Sequence, residues 1–145
     1  MRTLQDWLAE YSESHQNATN KKIHWLCVPV IVFTLVGMSY QLSLLLTLAM
    51  FAVMMLFYVR LSLKLALAMG LFLAILLGAV MALPFGLSAY LGIFVLAWIG
   101  QFYGHKVEGK KPSFFKDLQF LLVGPAWVAD ALMQKVGFKP LTRLA

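Results

Sequence analysis

The sequence predicts an all-α integral membrane protein with four transmembrane helices, an N-terminal amphipathic helix and a C-terminal interfacial or re-entrant helix. Of its 145 residues, 61% are apolar and only 12% are charged, whereas about a quarter of the residues in soluble domains are charged. Four apolar runs have the length that crosses a bilayer core, at 23–39, 42–59, 65–83 and 87–104. The whole chain, 1–145, is therefore expected to form a single membrane domain.

The segments beside these runs supply the remaining elements. Apolar side chains recur at helical spacing in residues 3–20, which predicts an amphipathic helix on the membrane surface. The segment 113–134 is moderately apolar and contains Gly124-Pro125, so we expect an interfacial or re-entrant helix that is broken near Pro125. Breaks between the spans are expected at 39–41, 60–64 and 83–86.

The charged residues predict the topology. No charged side chain occurs in 23–59 or in 65–105, so with four spans every charge lies on one face. The positive-inside rule assigns that face and both termini to the cytoplasm, in a bacterial inner membrane or in an ER-type membrane of a eukaryote. The net charge of +6 is thus attributed to contacts with membrane lipid and not to nucleic acid. The oligomeric state is left open.

The three histidines of the chain, His15, His24 and His105, all fall at the membrane boundary on this predicted face. The single cysteine excludes a zinc site built from cysteines. Neutral imidazoles bind iron, zinc, copper or nickel, so a shared metal site is predicted. His15 and His24 are nine residues apart, and they converge only if the chain bends within the "NATNKK" stretch.

Other polar groups near the boundary complete this predicted constellation. Asn20 and His24 are four residues apart, as are Gln101 and His105, so each pair shares a helix face. Glu108 lies three residues beyond His105 and extends the helix face that Gln101 and His105 share. Histidines together with a carboxylate suit non-haem Fe(II) chemistry, and three histidines alone suit a catalytic zinc. Simple contact of the histidines with lipid head groups is a further alternative.

Two motifs are similar to those of the fungal 2-hydroxy fatty acid dioxygenase family. The first has the spacing Tyr-x3-His-x4-Asn-x3-His-x4-Pro, here Tyr11, His15, Asn20, His24 and Pro29. The second lies in "QFYGHKVEGKKP", followed by Gly124-Pro125. The resemblance covers the whole chain in order. One departure is Asp130, near a position where the family often carries glutamate.

The resemblance implies an Fe(II)-dependent alpha-oxidation, in which O2 cleaves the C1–C2 bond of a 2-hydroxy fatty acid and leaves an acid one carbon shorter. It implies Fe(2+) bound by His15, His24 and His105, and it assigns Asn20 and Glu108 to the catalytic machinery. A single metal ion is expected. The acidic head of the substrate is expected near Lys21, Lys22, Gln101, Lys106, Lys110 and Lys111.

Two rival functions use the same sequence features. A zinc-dependent membrane lipid hydrolase would share the ligands and differ in the metal and in its independence of O2. A non-enzymatic membrane scaffold or lipid-binding protein would hold no stoichiometric metal, and it would tolerate replacement of the histidines.

Overall fold

A computed structural model describes residues 2–109 and 114–138, which form six α-helices. In chain order these are α1 (Leu4–Glu13), α2 (Ala18–Leu42), α3 (Leu44–Leu61), α4 (Leu63–Ala82), α5 (Leu87–Glu108) and α6 (Phe114–Lys135). Within the described residues, α2 to α5 are the four helices that are long and apolar enough to cross a membrane. The predicted fold class, all-α with four membrane helices, is confirmed.

Helix α2 is at the centre of the bundle. It packs most extensively on α5 and also contacts α3, α4 and α6, while α6 contacts α1 and α4 as well. Because α2 is the first of the four crossings and α5 is the last, the N-terminal end of α2 meets the C-terminal end of α5. This pairing brings His24 and His105 to the same end of the bundle.

Single serines join the first three membrane helices. Ser43 ends α2 and caps α3, and Ser62 ends α3 and caps α4, each with an extended backbone. The first junction therefore lies two residues beyond the break expected at 39–41, which is helical. One serine is enough to join two helices because it serves both of them. Its hydroxyl accepts a hydrogen bond from the first turn of the next helix, and its own N–H donates to a carbonyl in the last turn of the previous helix.

The N-terminal region is not one helix over 3–20, as the sequence suggested. Helix α1 ends at Glu13, and Asn17 starts α2 by accepting hydrogen bonds from the N–H groups of Thr19 and Asn20 (2.9 and 3.3 Å). The first N–H groups of a helix have no carbonyl partner within that helix, and an asparagine at the N-cap position accepts hydrogen bonds from them, which favours the start of a new helix here. The bend lies at 14–17, slightly before the stretch predicted for it.

The expected break near Pro125 is wrong, because α6 continues through this residue. A proline inside a helix removes one backbone hydrogen bond and costs about 3 kcal/mol. Val123 and Ala126 flank the Gly124-Pro125 pair and are each only 1% exposed. Burial of this stretch against the bundle offsets the cost of the proline.

Helix α1 is held against the bundle by apolar and ionic contacts. Its apolar face, which includes Leu4, Leu8 and Tyr11, is buried. On its polar side, the Glu10 carboxylate forms ion pairs with Arg2 and with Lys116 of α6. The hydrogen bond from Lys116 lowers the pKa of Glu10. These contacts fix the helix whose end leads directly to His15.

Candidate metal centre

The three histidines form one buried cluster. The ring centroids of His15 and His24 are 4.2 Å apart, those of His24 and His105 are 4.9 Å apart, and those of His15 and His105 are 5.5 Å apart. None is more than 5% exposed. One ligand nitrogen from each ring lies within 4.8 Å of the other two. The convergence predicted from the sequence is therefore present.

Two of the imidazoles are oriented by backbone carbonyls. The His15 Nδ1–H donates to the Tyr11 carbonyl at 2.5 Å, and the His24 Nδ1–H donates to the Asn20 carbonyl at 3.0 Å. Each carbonyl lies four residues before its histidine. A hydrogen bond at one ring nitrogen fixes the tautomer and leaves the other nitrogen as the metal ligand. In both residues that nitrogen is Nε2.

The free nitrogen of His15 supports this assignment. His15 Nε2 is buried and has no hydrogen-bond partner among the described residues, and such an orphaned polar atom is costly unless a ligand occupies it. Burial lowers the pKa of His15 to about 4, although the Tyr11 carbonyl opposes the shift. The ring is therefore neutral at pH 7, which is the form that binds a metal.

The donor set fits a metal ion. Nitrogens bound tetrahedrally to one ion at about 2.1 Å lie about 3.4 Å from one another, so movements of about an ångström in each side chain would close the cluster around it. The cavity between the rings has a volume of about 20 Å³, enough for roughly one water-sized occupant. The three buried histidines thus form a candidate metal site.

Tyr11 supports the cluster from the side of α1. Its ring stacks on the His15 ring, with centroids 3.9 Å apart and planes 4° from parallel. Trp127 of α6 lies 5.1 Å from Tyr11 and 5.7 Å from His15. The close approach of α6 depends on Gly124, because a Cβ there would lie 3.2 Å from the Tyr11 hydroxyl. Helices α1 and α6 together hold the His15 ring in place.

Comparison with known proteins decides the family. The family profile described as "2-hydroxy-palmitic acid dioxygenase Mpo1-like" matches residues 1–136. This chain belongs to the Mpo1-like family. A relative from Saccharomyces cerevisiae, the 2-hydroxy-palmitic acid dioxygenase MPO1, is 30% identical over 94% of this chain and 83% of its own length. No solved structure matches the chain.

Asn20 and Glu108, which the resemblance assigned to catalysis, lie beside the metal cavity and do not line it. The Glu108 carboxylate accepts hydrogen bonds from the Asn17 N–H (2.7 Å) and from Asn20 Nδ2 (3.2 Å). Asn20 Nδ2 also donates to the Ser14 carbonyl at 3.0 Å. These bonds tie the end of α5 to the 14–17 turn, on both sides of His15.

Gln101, in contrast, lines the cavity with the three histidines. It is 6% exposed, and its Oε1 has no hydrogen-bond partner among the described residues. The predicted lysines are more distant: Lys21, Lys22 and Lys106 are exposed on the protein surface. Lys110 and Lys111 lie outside the described residues. Asp130 accepts a hydrogen bond from Gln134 and does not line the cavity.

The apolar walls of the cavity were not predicted from the sequence, because one apolar residue in a largely apolar helix is not distinguishable from its neighbours. They are Val28, Ile31, Val32, Trp98, Phe120 and Leu121. Val28 lies one turn beyond His24 in α2, and Trp98 lies two turns before His105 in α5. Both positions are deeper in the membrane helices than the histidines. The cavity is therefore polar at one end and apolar toward the bilayer.

Proposed function

We propose that this Mpo1-like chain is an Fe(II)-dependent dioxygenase that converts 2-hydroxy fatty acids into acids one carbon shorter. The observation that carries the proposal is the buried cluster of His15, His24 and His105 in a member of this family. The relative named 2-hydroxy-palmitic acid dioxygenase supports the substrate class. The atoms of the reaction balance when one O2 is consumed and the lost carbon leaves as CO2 with one water.

In this proposal the three histidines hold one iron ion through nitrogens that include Nε2 of His15 and of His24. The bound iron supplies O2 activation and a Lewis-acid contact for the substrate. The protein contributes ligand orientation through the Tyr11 and Asn20 carbonyls. Three histidines alone fit zinc as well as iron, so it is family membership that favours iron.

Gln101 is the proposed substrate contact at the cavity. Its unpartnered Oε1 can accept a hydrogen bond from the 2-hydroxyl group, and its Nε2 can donate to the substrate carboxylate. A buried amide that is satisfied only by substrate discriminates against fatty acids without the hydroxyl, since these would leave Oε1 unpaired. The exposed Lys21 and Lys22 would attract the acidic head group from the membrane surface.

The apolar walls are the proposed path for the alkyl chain. A cavity of about 20 Å³ is far too small to enclose a fatty acid. The chain must therefore extend past Val28 and Trp98 toward the bilayer, where each CH2 group avoids an exposure cost of about 0.8 kcal/mol. The substrate would react with its head at the histidines and its tail among the lipids. The positive-inside distribution supports a cytoplasmic location for the site.

The test is metal analysis of detergent-purified protein, prepared anaerobically without a polyhistidine tag, followed by O2 uptake with 2-hydroxypalmitate. We expect about one iron per chain, and loss of both iron and turnover by more than about 100-fold in His24→Ala, because a direct ligand is worth more than its supporting hydrogen bonds. Ser39→Ala, at the opposite end of α2, should keep both.

Three results would contradict the proposal. Stoichiometric zinc, with turnover that does not need O2, would indicate the lipid hydrolase. Absence of metal from both proteins would indicate a scaffold or lipid-binding protein. Equal O2 uptake with palmitate and 2-hydroxypalmitate would reject the role assigned to the 2-hydroxyl group.

A further inference from the structure

A second cavity lies between α1 and α3, outside the metal centre. It is an open groove of about 300 Å³, a volume in the range of small-molecule sites. Its apolar lining residues are Trp7, Val53, Leu56, Phe57 and Leu61. Two arginines, Arg2 and Arg60, complete the lining, and no acidic residue contributes to it. The groove thus combines an apolar floor with a cationic edge.

The α3 side of this groove is a single helical stripe. Residues 53, 56, 57, 60 and 61 follow the i, i+3, i+4, i+7, i+8 spacing of one helix face. From the apolar Val53 to the charged Arg60 at the end of α3, the stripe runs about 10 Å along the axis. Charge at the end of a membrane helix lies at the depth of lipid head groups.

The two arginines differ in their partners. Arg2 is engaged by an ion pair with Glu10, and its guanidinium lies 4.1 Å from the centre of the Trp7 ring. Arg60 is exposed and forms no ion pair with any described residue. A guanidinium is well suited to bind a phosphate through two parallel hydrogen bonds. Arg60 is therefore the arginine of this pair that is available to pair with an anion.

We propose that this groove binds one anionic phospholipid of the surrounding bilayer. Its phosphate contacts Arg60 and Arg2, and one acyl chain lies along Val53, Leu56 and Phe57. Val53 and Leu56 are 68% and 54% exposed, and in a membrane lipid chains cover such residues. The bound lipid bridges α3 to α1, the helix that leads to His15. This site is separate from the proposed reaction and does not depend on it.

Native mass spectrometry of the full-length protein tests the site, with phosphatidylglycerol, phosphatidylcholine of the same acyl chains, and palmitate as separate probes. The wild type should retain one phosphatidylglycerol per chain in preference to the other two probes. Arg60→Gln should weaken that retention about five-fold, the effect of one basic residue near an anionic lipid. Lys64→Gln is the matched control, since it removes one charge from the same end of the bundle outside the groove.

Circular dichroism shows whether Arg60→Gln folds. If it does not fold, a second variant tests the site. Leu56→Trp fills the groove without changing charge and should also reduce retention of phosphatidylglycerol. Equal retention of phosphatidylglycerol and phosphatidylcholine would overturn the proposal. So would equal losses in Arg60→Gln and Lys64→Gln, or palmitate binding more tightly than phosphatidylglycerol with the same dependence on Arg60.

Discussion

The two ends of the central α2–α5 pair both bury polar side chains, but they satisfy them differently. At the far end, the hydroxyl of Ser39 in α2 shares a hydrogen bond of 2.8 Å with the hydroxyl of Thr47 in the neighbouring α3, and each also reaches a backbone carbonyl. At the other end, the histidines and Gln101 surround a cavity, and His15 Nε2 and Gln101 Oε1 have no hydrogen-bond partner among the described residues. Burial of unsatisfied polar atoms costs about 1–3 kcal/mol each. These two unpartnered atoms of the histidine end belong to residues that line one cavity, so that end has the character of a site completed by a ligand. At the far end, the Tyr90 hydroxyl is the unpartnered buried atom among the described residues, and it takes no part in the Ser39–Thr47 pair that satisfies itself.

Close helix contact also occurs at both ends, and it provides the sharpest test of this difference. A Cβ on Gly104 would collide with Asn20 Oδ1 and lie 3.3 Å from His24 Cε1. A Cβ on Gly37 would collide with the buried ring of Tyr90. Both glycines permit α2 and α5 to approach, but of the two only Gly104 does so beside the proposed metal ligands.

We expect Gly104→Ala to lower metal affinity by up to about 100-fold, because it displaces both a ligand and the residue that orients it. Gly37→Ala should lower the free energy of unfolding by about 1–3 kcal/mol through overpacking and keep the metal. The measurements are metal titration and thermal unfolding in detergent. Gly92→Ala, where a Cβ meets nothing within 4 Å, is the control. Equal metal loss in the Gly104 and Gly37 variants would remove the distinction between the two ends.

The contacts of Glu108 predict an intermediate effect. Glu108→Ala removes the acceptor for Asn17 and Asn20 and should weaken metal binding about 10-fold. Glu108→Gln keeps an acceptor oxygen in the same place, so metal binding and O2 uptake should stay within a few-fold of wild type. This rescue is the signature of a positioning residue.

Retained iron with turnover abolished in Glu108→Gln would instead identify Glu108 as a catalytic acid or base. The pH profile of O2 uptake gives a second readout. It should be unchanged in Glu108→Gln if the carboxylate only positions the 14–17 turn. Loss of one limb of the profile would support the catalytic role that the resemblance assigned.

The smallest effect is expected at the far end. Ser39→Ala removes one interhelical hydrogen bond, and such bonds in membrane proteins contribute about 0.6 kcal/mol on average. Iron content and O2 uptake should not change, and the midpoint of thermal unfolding should fall only slightly. The Ser39→Ala, Thr47→Val double variant should lower the free energy of unfolding only slightly further, since neither hydroxyl is then left without its partner. A loss of iron in either variant would mean that the two ends are coupled.

Much of this arrangement was predictable from sequence. Charge-free runs of membrane length predicted the four helices, and the absence of charge from one face predicted that His24 and His105 share an end. Glu108 was expected to extend the helix face of Gln101 and His105, and α5 does reach Glu108. Its bond to Asn17, 91 residues away, depends on helix packing that spacing does not encode. The continuity of α6 through Pro125 likewise follows from burial of its neighbours. Spacing along a helix and the helix-breaking tendency of proline are local properties of the sequence. Neither predicts the Glu108–Asn17 bond or the continuity of α6, because contacts between helices determine both.

The separation of the ligands along the chain has a consequence for biogenesis. His15 is made before any membrane helix, and His105 is near the end of the last one. At synthesis rates of about 5–20 residues per second, the 90 residues between them take roughly 5–18 s. Throughout that interval the first two histidines have no third partner. Loading of the proposed metal must therefore follow synthesis of α5, and a chain truncated before α5 would lack His105 and could not assemble the cluster.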